Sequence, residues 1–178
     1  MAVQLIAPAT LVLEQATVDH QLQLGLSFSS KAEVQRWGGE QFRWPLTRQH
    51  FLATLQVKDA TSYAFMANQT FVGFGQLCDR FSRHHLARLW IHAEHRGQGF
   101  GRQLLLALIK EGLQQNPRLD FSLFVFKDNL VALSLYQTLG FRETTQPQAH
   151  RDDLMFMTLA NSQARLLQTS LNRPLAPR

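Results

Sequence analysis

Residues 86–109 read Leu86-Ala87-Arg88-Leu89-Trp90-Ile91, His92-Ala93-Glu94-His95, Arg96-Gly97-Gln98-Gly99-Phe100-Gly101 and Arg102-Gln103-Leu104-Leu105-Leu106-Ala107-Leu108-Ile109. Leu86 to Ile91 reads as a strand and the leucine-rich run from Gln103 to Ile109 as a helix, joined by a glycine loop. The first N–H groups of a helix have no intrahelical partner, and they lie at the positive end of its dipole. Glycines let a bulky anion approach that backbone closely. The stretch therefore points to a grip on a phosphorylated ligand, against the alternative of a tight turn with no ligand. Its Gly-x-Gly-x-Gly spacing departs from the dinucleotide fingerprint, and no Lys-Ser or Lys-Thr follows as in a P-loop.

The flanking sequence frames this unit. Leu11 to Gln15 reads as a first strand. Thr17-Val18-Asp19 resembles a helix cap ahead of Leu22, Leu24 and Leu26, and Ser30 caps a short helix that Gly38-Gly39 ends. Pro45-Leu46-Thr47 opens a further helix with Phe51, Leu52 and Leu55 on one face. Tyr63 to Ala67 and Phe71 to Leu77 flank Asn68-Gln69-Thr70, the signature of a hairpin, and His84 to His92 extends the meander. The long helix runs from about Gly101 to Gln115 and stops at Asn116-Pro117. Phe121 to Phe126 reads as an apolar strand, hence a central one. Asn129 to Leu139 is a helix closed by Gly140, and Phe141 to Glu143 and Asp153 to Leu159 are the last strands. The expected order is β-α-α-β-β-β-α-β-α-β-β, an α/β fold with a mixed sheet. One domain spans 11–160, and 1–10 and 161–178 read as flexible tails.

Composition removes several function classes. The chain has 178 residues, 45% of them apolar, with 13 Phe and a formal charge of +5. Its basic residues are scattered rather than run together, so nucleic acid is not an expected partner, and a polyanionic co-substrate accounts for the charge equally well. No apolar run approaches the ~20 residues that span a bilayer. Met1 to Thr10 lacks the basic and apolar regions of a secretion signal, so a cytoplasmic location is expected. The single Cys78 reads as a small buried hydrophobe. His84, His85, His92 and His95 do not make a metal set, because adjacent strand residues point to opposite faces and no carboxylate or thiol completes the group. No Gly-x-Ser-x-Gly elbow supports a serine hydrolase.

A second segment, Asp128-Asn129-Leu130-Val131-Ala132-Leu133-Ser134-Leu135-Tyr136-Gln137-Thr138-Leu139-Gly140-Phe141, follows the apolar strand. With it the chain resembles the GNAT family of N-acetyltransferases. That family's loop is Arg or Gln, two residues, Gly, one residue, then Gly or Ala, which Arg96, Gly99 and Gly101 satisfy. Its later motif is met by Asn129, Ala132, Tyr136, Gly140 and Phe141, and the element order agrees over residues 11–159.

The resemblance implies an acyl-CoA N-acyltransferase fold, acetyl-CoA as donor and no metal. It places the pyrophosphate on the loop Arg96, Gly97, Gln98, Gly99, Phe100, Gly101 and Arg102. It pairs the backbone of Leu89 and Ile91 with the pantetheine, and brings Asn129 to the same arm while Asn129 also caps its helix. Tyr136 becomes the acid that protonates the CoA thiolate. Asn129 and Tyr136 stand seven apart, two turns along one helix face.

The acceptor amine must lose a proton before it attacks, which favours a base. Relatives often carry a carboxylate where Phe124 stands here, and others use His or Glu early on the strand before the glycine loop; the resemblance then implies His85 as base, against a solvent-facing hairpin His, on one strand face with Ala87, Leu89 and Ile91 if alternation holds. Glu33 and Glu40 are weaker candidates. Trp37, Phe42 and Trp44 are expected either to wall the acceptor site or to pack on the sheet, and Arg36 or Arg43 to meet an acceptor carboxylate. The expected partner is a small-molecule or peptide amine, and a homodimer is compatible with the reading. A non-catalytic acyl-CoA-binding or regulatory module is the competing reading, motivated by Phe124.

Overall fold

A computed structural model describes residues 9–147 and 151–171. In chain order these form β1 (Leu11–Gln15), α1 (Val18–Leu26), α2 (Lys31–Gly38), α3 (Arg48–Leu55), β2 (Ala60–Ala67), β3 (Thr70–Arg80), β4 (Arg83–Ile91), α4 (Phe100–Gln115), β5 (Phe121–Phe126), α5 (Leu130–Thr138), β6 (Arg142–Glu143), β7 (Leu154–Leu159) and α6 (Asn161–Leu171). A 3-10 turn at Ala93–His95 precedes the glycine loop. The strands make one sheet in the order β1-β2-β3-β4-β5-β7-β6. All neighbours are antiparallel except β4 and β5.

Local chemistry sets most boundaries. Thr17 Oγ1 accepts from the His20 amide at 3.2 Å, and His20 Nδ1 accepts from the Thr17 amide at 3.3 Å, a reciprocal cap on α1. Ser30 and Thr47 cap α2 and α3 from one side only, each hydroxyl accepting from an amide three residues on. Asn68 and Gln69 take φ of +47° and +66°, the left-handed pair that a tight hairpin between β2 and β3 requires.

Two cores lie on the two faces of the sheet. α4, α5 and α6 pack on one, around Leu104, Leu108, Phe121, Leu123 and Phe141. α1 to α3 cover the other, around Leu24, Phe28, Val34, Phe42, Phe51, Phe74 and Trp90. Gly112 fixes the approach of α4 to the sheet, because a Cβ there would stand 2.6 Å from the buried Phe121 ring.

The structure departs from expectation in two places. Three helices separate β1 from β2, as the starts at Thr17, Ser30 and Pro45-Leu46-Thr47 indicate, where the expected order counts only two. Residues 161–171, expected within a flexible tail, form α6: Ala164 is fully buried, the Asn161 amide donates to Asp120 Oδ1 at 2.9 Å, and Gln168 Nε2 donates to the Leu106 carbonyl at 2.9 Å. Ala164, the partly buried Leu167 and hydrogen bonds to distant residues hold the helix, and these do not stand out in its sequence. Residues 1–8 and 172–178, the rest of the expected tails, lie outside the described residues.

A split in the sheet positions the site. The β4–β5 ladder comprises three pairs, His84 with Phe121, His85 with Ser122 and Leu86 with Leu123, and then the strands part. Arg88 sits there with φ +51°, and the β3–β4 register shifts between Phe74 and Gln76. This is a β-bulge, which inserts one residue and re-aims the side chains after it.

Candidate active site

The bulge overturns one expectation directly. His85 does not share a strand face with Leu89 and Ile91. Leu89 meets Leu108 of α4 above Gly75, and Ile91 reaches Gly101 at the start of α4. His85 instead packs on the opposite face, its ring 5.5 Å from Phe124 and 6.4 Å from Phe156. Alternation along β4 is broken by the extra residue at Arg88, so positions before and after it swap sides.

On the α4 side of the split lies the glycine loop. Gly97 and Gly99 take φ of +73° and +85°, and nothing lies within 4 Å of where either Cβ would be. Glycine is needed here for backbone conformation, and the open space above it leaves room for a bulky anion. Gly99 is the N-cap of α4 and makes no side-chain cap hydrogen bond, so the first amides of a 16-residue helix have no side-chain acceptor. Arg96 Nε donates to the Ile91 carbonyl at 3.0 Å, and Gln98 Nε2 donates to the Glu94 carbonyl at 2.9 Å, so both side chains brace the loop. Phe100 is half-buried with its ring 5.9 Å from His95, and Arg102 is exposed.

α5 meets this loop. A Cβ on Gly101 would lie 3.6 Å from Leu135 and 3.9 Å from Ile91, so α4, α5 and β4 converge at that point. Asn129 Oδ1 accepts from the Ala132 amide at 3.2 Å and caps α5. Tyr136, beside Leu135, is 8% exposed with its ring 6.0 Å from Phe141. Burial pushes its phenol up to about 12. No hydrogen bond joins its hydroxyl to any described residue.

The α1–α3 side of the split is aromatic and polar at once. His85, 4% exposed, shares a 2.9 Å hydrogen bond between Nδ1 and the fully buried Ser122 Oγ. Phe81, Phe124 and Phe156 surround the pair, with the Phe81 ring 5.3 Å from His85 and 6.0 Å from Phe124. Sequence reasoning missed Ser122, whose one signal is a hydroxyl inside an otherwise apolar strand. His84 points the other way, onto Phe121 and the Asn116 carbonyl, which separates the two adjacent histidines.

The outer candidates have structural partners. Glu33 accepts from the Ser29 amide and hydroxyl at 2.7 and 2.8 Å, and these hydrogen bonds, with Arg96 nearby, hold its carboxyl below the usual range. Glu40 lies 3.7 Å from Arg151. Arg36 pairs with Asp128 at 2.5 Å and lies 4.3 Å above the Phe126 ring, so it ties α2 to the start of α5. Phe42 is buried and Trp37 half-buried against it, 5.5 Å apart in a ring cluster with Phe28, Phe51 and Phe74. Trp44 is 40% exposed and Arg43 is exposed. An aromatic wall built from all three residues is therefore not formed. The Trp37 indole does have one contact with the split, donating to the Arg88 carbonyl at 3.1 Å.

Among the described residues no group of three His, Cys, Asp or Glu could hold a metal ion, and no helix is long and apolar enough to cross a membrane.

Residues 31–141 match the family described as Acetyltransferase (GNAT) family. Solved structures share the fold. A coenzyme A complex of the aminoglycoside acetyltransferase AAC(6')-Ib aligns with a TM-score of 0.70 at 17% identity, covering 89% of this chain and 99% of that one. A spermidine N-acetyltransferase from Vibrio cholerae, in complex with CoA and spermine, aligns with a TM-score of 0.67 at 17% identity over 87% and 98% of the two chains. An uncharacterized Bacillus halodurans protein aligns with a TM-score of 0.73 at 14% identity over 91% and 90%. No curated protein matches the chain.

Proposed function

Because the chain belongs to the GNAT family of acetyltransferases, we propose that it moves the acetyl group of acetyl-CoA directly onto a primary amine of a small molecule, amino acid or peptide. The observation that carries this reading is the split sheet, with the open glycine loop and Tyr136 on one face and the His85–Ser122 pair on the other. Donor and acceptor can then approach one reacting carbon from opposite sides.

The residues fit the donor. The uncapped amides at the start of α4, with open space over Gly97 and Gly99, suit a pyrophosphate. The backbone of Leu89 and Ile91, past the end of the β4–β5 ladder, suits an extended amide-bearing arm that adds like a strand. Asn129, the cap at the start of α5, is assigned to the same arm. Acetyl-CoA supplies the activated acyl group.

The amine lone pair forms the new C–N bond at the thioester carbonyl, and the C–S bond breaks as the sulfur leaves with its electron pair. Tyr136 gives that sulfur a proton, and its raised pKa keeps the phenol protonated at neutral pH. The proton lost by the attacking amine goes to His85, directly or through water. Ser122 holds the imidazole by Nδ1 and so fixes the orientation of the ring.

A thiol-release assay with acetyl-CoA tests the reading against amino acids, polyamines, aminoglycosides and peptide N-termini. Acceptor-dependent CoA release is expected for at least one class. Thermal stabilisation by acetyl-CoA with no release across the panel would refute catalysis and leave a binding module.

A further inference from the structure

We propose that Arg88 receives a carboxylate of the acceptor, so that the amine substrate is one that also carries an acid group, an amino acid rather than a polyamine, aminoglycoside or peptide N-terminus. This rests on the acetyltransferase reading and narrows its acceptor.

Arg88 sits where β4 leaves β5, in a left-handed conformation that arginine does not favour. Residues held in such conformations cluster at ligand sites, where surrounding structure maintains them. Two contacts hold this one: the Trp37 indole binds its carbonyl, and the Phe42 ring lies 5.2 Å from its guanidinium carbon. The bulge turns its side chain to the α1–α3 side, the face that carries His85.

The guanidinium is half-buried and has no carboxylate within ion-pair distance among the described residues. Its protein acceptors are neutral: Gln76 Oε1 at 2.9 Å and the Thr54 carbonyl at 3.4 Å, both on the same terminal nitrogen. The neighbouring Cys78 thiol, pushed up by burial, is neutral too. Nε and the other terminal nitrogen bond to no described residue, and neither is sealed from solvent. These two nitrogens form the edge that takes a carboxylate in two parallel hydrogen bonds.

Two other cations of this face are occupied. Arg36 pairs with Asp128, and Arg151 pairs with Asp153 and Glu40. Arg88 therefore leaves the site with an uncompensated positive charge in a partly dry setting, where an anion is attracted and a polycation repelled. The anion is not one of the donor's phosphates, because the glycine loop lies on the opposite face.

The test compares each L-amino acid with its own carboxamide in the thiol-release assay. The amide has the more easily deprotonated amine, so a preference for the acid cannot arise from amine basicity. Wild-type protein should favour the acid. Arg88→Gln should raise KM for the acid about 10- to 100-fold, the worth of a charge-assisted bidentate pair, and leave the amide unchanged. Arg88→Lys should fall between them. Thermal stabilisation by acetyl-CoA, unchanged in both variants, shows that the fold and donor site persist. Equal use of acid and amide by wild-type protein, or an equal KM rise for both in Arg88→Gln, overturns the proposal. If no amine releases thiol, the acetyltransferase reading fails separately. Calorimetric titration of amino acids into the CoA-loaded chain then decides: binding lost in Arg88→Gln supports the site, and no binding to wild type sinks it.

Discussion

Replacing Tyr136 with phenylalanine removes one oxygen from a buried ring and leaves its packing against Phe141 in place. No hydrogen bond to a described residue is lost, so the folded state should be as stable as wild type near neutral pH. The chemical effect is larger. With a phenol at about 12 and a thiol near ~8.5, proton transfer is uphill by about 3.5 pK units, or about 5 kcal/mol. General acids contribute about 10²- to 10⁴-fold, and a poorly matched one belongs at the lower end. A fall in kcat of about 100-fold, equal to about 2.7 kcal/mol of barrier, is expected. Stopped thiol-release assays at saturating acceptor give kcat, and acetyl-CoA titration gives donor affinity, which should not move. A kcat within twofold of wild type would remove Tyr136 from the reaction. Donor affinity falling in step with kcat would make it a binding residue instead. The same variant carries a stability signature. The folded pKa of Tyr136 is raised from 10.0 to about 12, so its contribution is complete below about pH 10 and lost as pH rises through about 12. Two units correspond to about 3 kcal/mol. Denaturation midpoints of wild type should fall more steeply than those of Tyr136→Phe across that window.

Gly99→Ala meets no neighbour, since the space above is open, but forces alanine to φ +85°. Urea titration should show a loss of about 1–2 kcal/mol, with weaker acetyl-CoA binding by calorimetry; full stability with unchanged affinity would contradict the loop's role. Gly112→Ala gains helix propensity of about 1 kcal/mol but drives a Cβ to 2.6 Å from the fully buried Phe121. Overpacking costs about 1–3 kcal/mol, so the melting temperature should drop by a few degrees, and a rise would show that α4 can move off the sheet. Ser122→Ala takes from His85 the hydroxyl at Nδ1 and should cost about 1–3 kcal/mol. If Ser122 also orients the base, the acidic limb of kcat/KM should shift; a profile that keeps its shape would make the pair structural only.

The fold was legible where the signal was local. Asn68-Gln69 announced a hairpin, the glycine loop the start of α4 near Gly101, one residue past its first residue Phe100, and the apolar run at β5 an interior strand, because each depends on residues within a few positions. The helix caps at Thr17 and Ser30 were readable for the same reason. The bulge was not, since nothing in Ala87-Arg88-Leu89 resembles the glycine that usually marks one. It arises where β3 and α2 bind Arg88 from positions 12 and 51 residues away. Its consequence, that His85 changes face, was therefore invisible too. Ser122 escaped notice because its partner lies 37 residues off, and α6 because distant polar contacts anchor it.

The brevity of the β4–β5 ladder bears on when the chain reaches its full rigidity. Three residue pairs join four strands on one side to three on the other. A sheet interrupted in its middle has interior amides and carbonyls held in reserve, already extended and already apart. On the proposed reading, the donor's amide arm finishes the ladder. The two halves then become mechanically one body only while substrate is aboard. A ligand at 100 times its dissociation constant adds about 2.7 kcal/mol of stability. Here that increment would be concentrated at a single seam, where amide exchange along Leu89 to Ile91 and Phe124 to Phe126 should slow most.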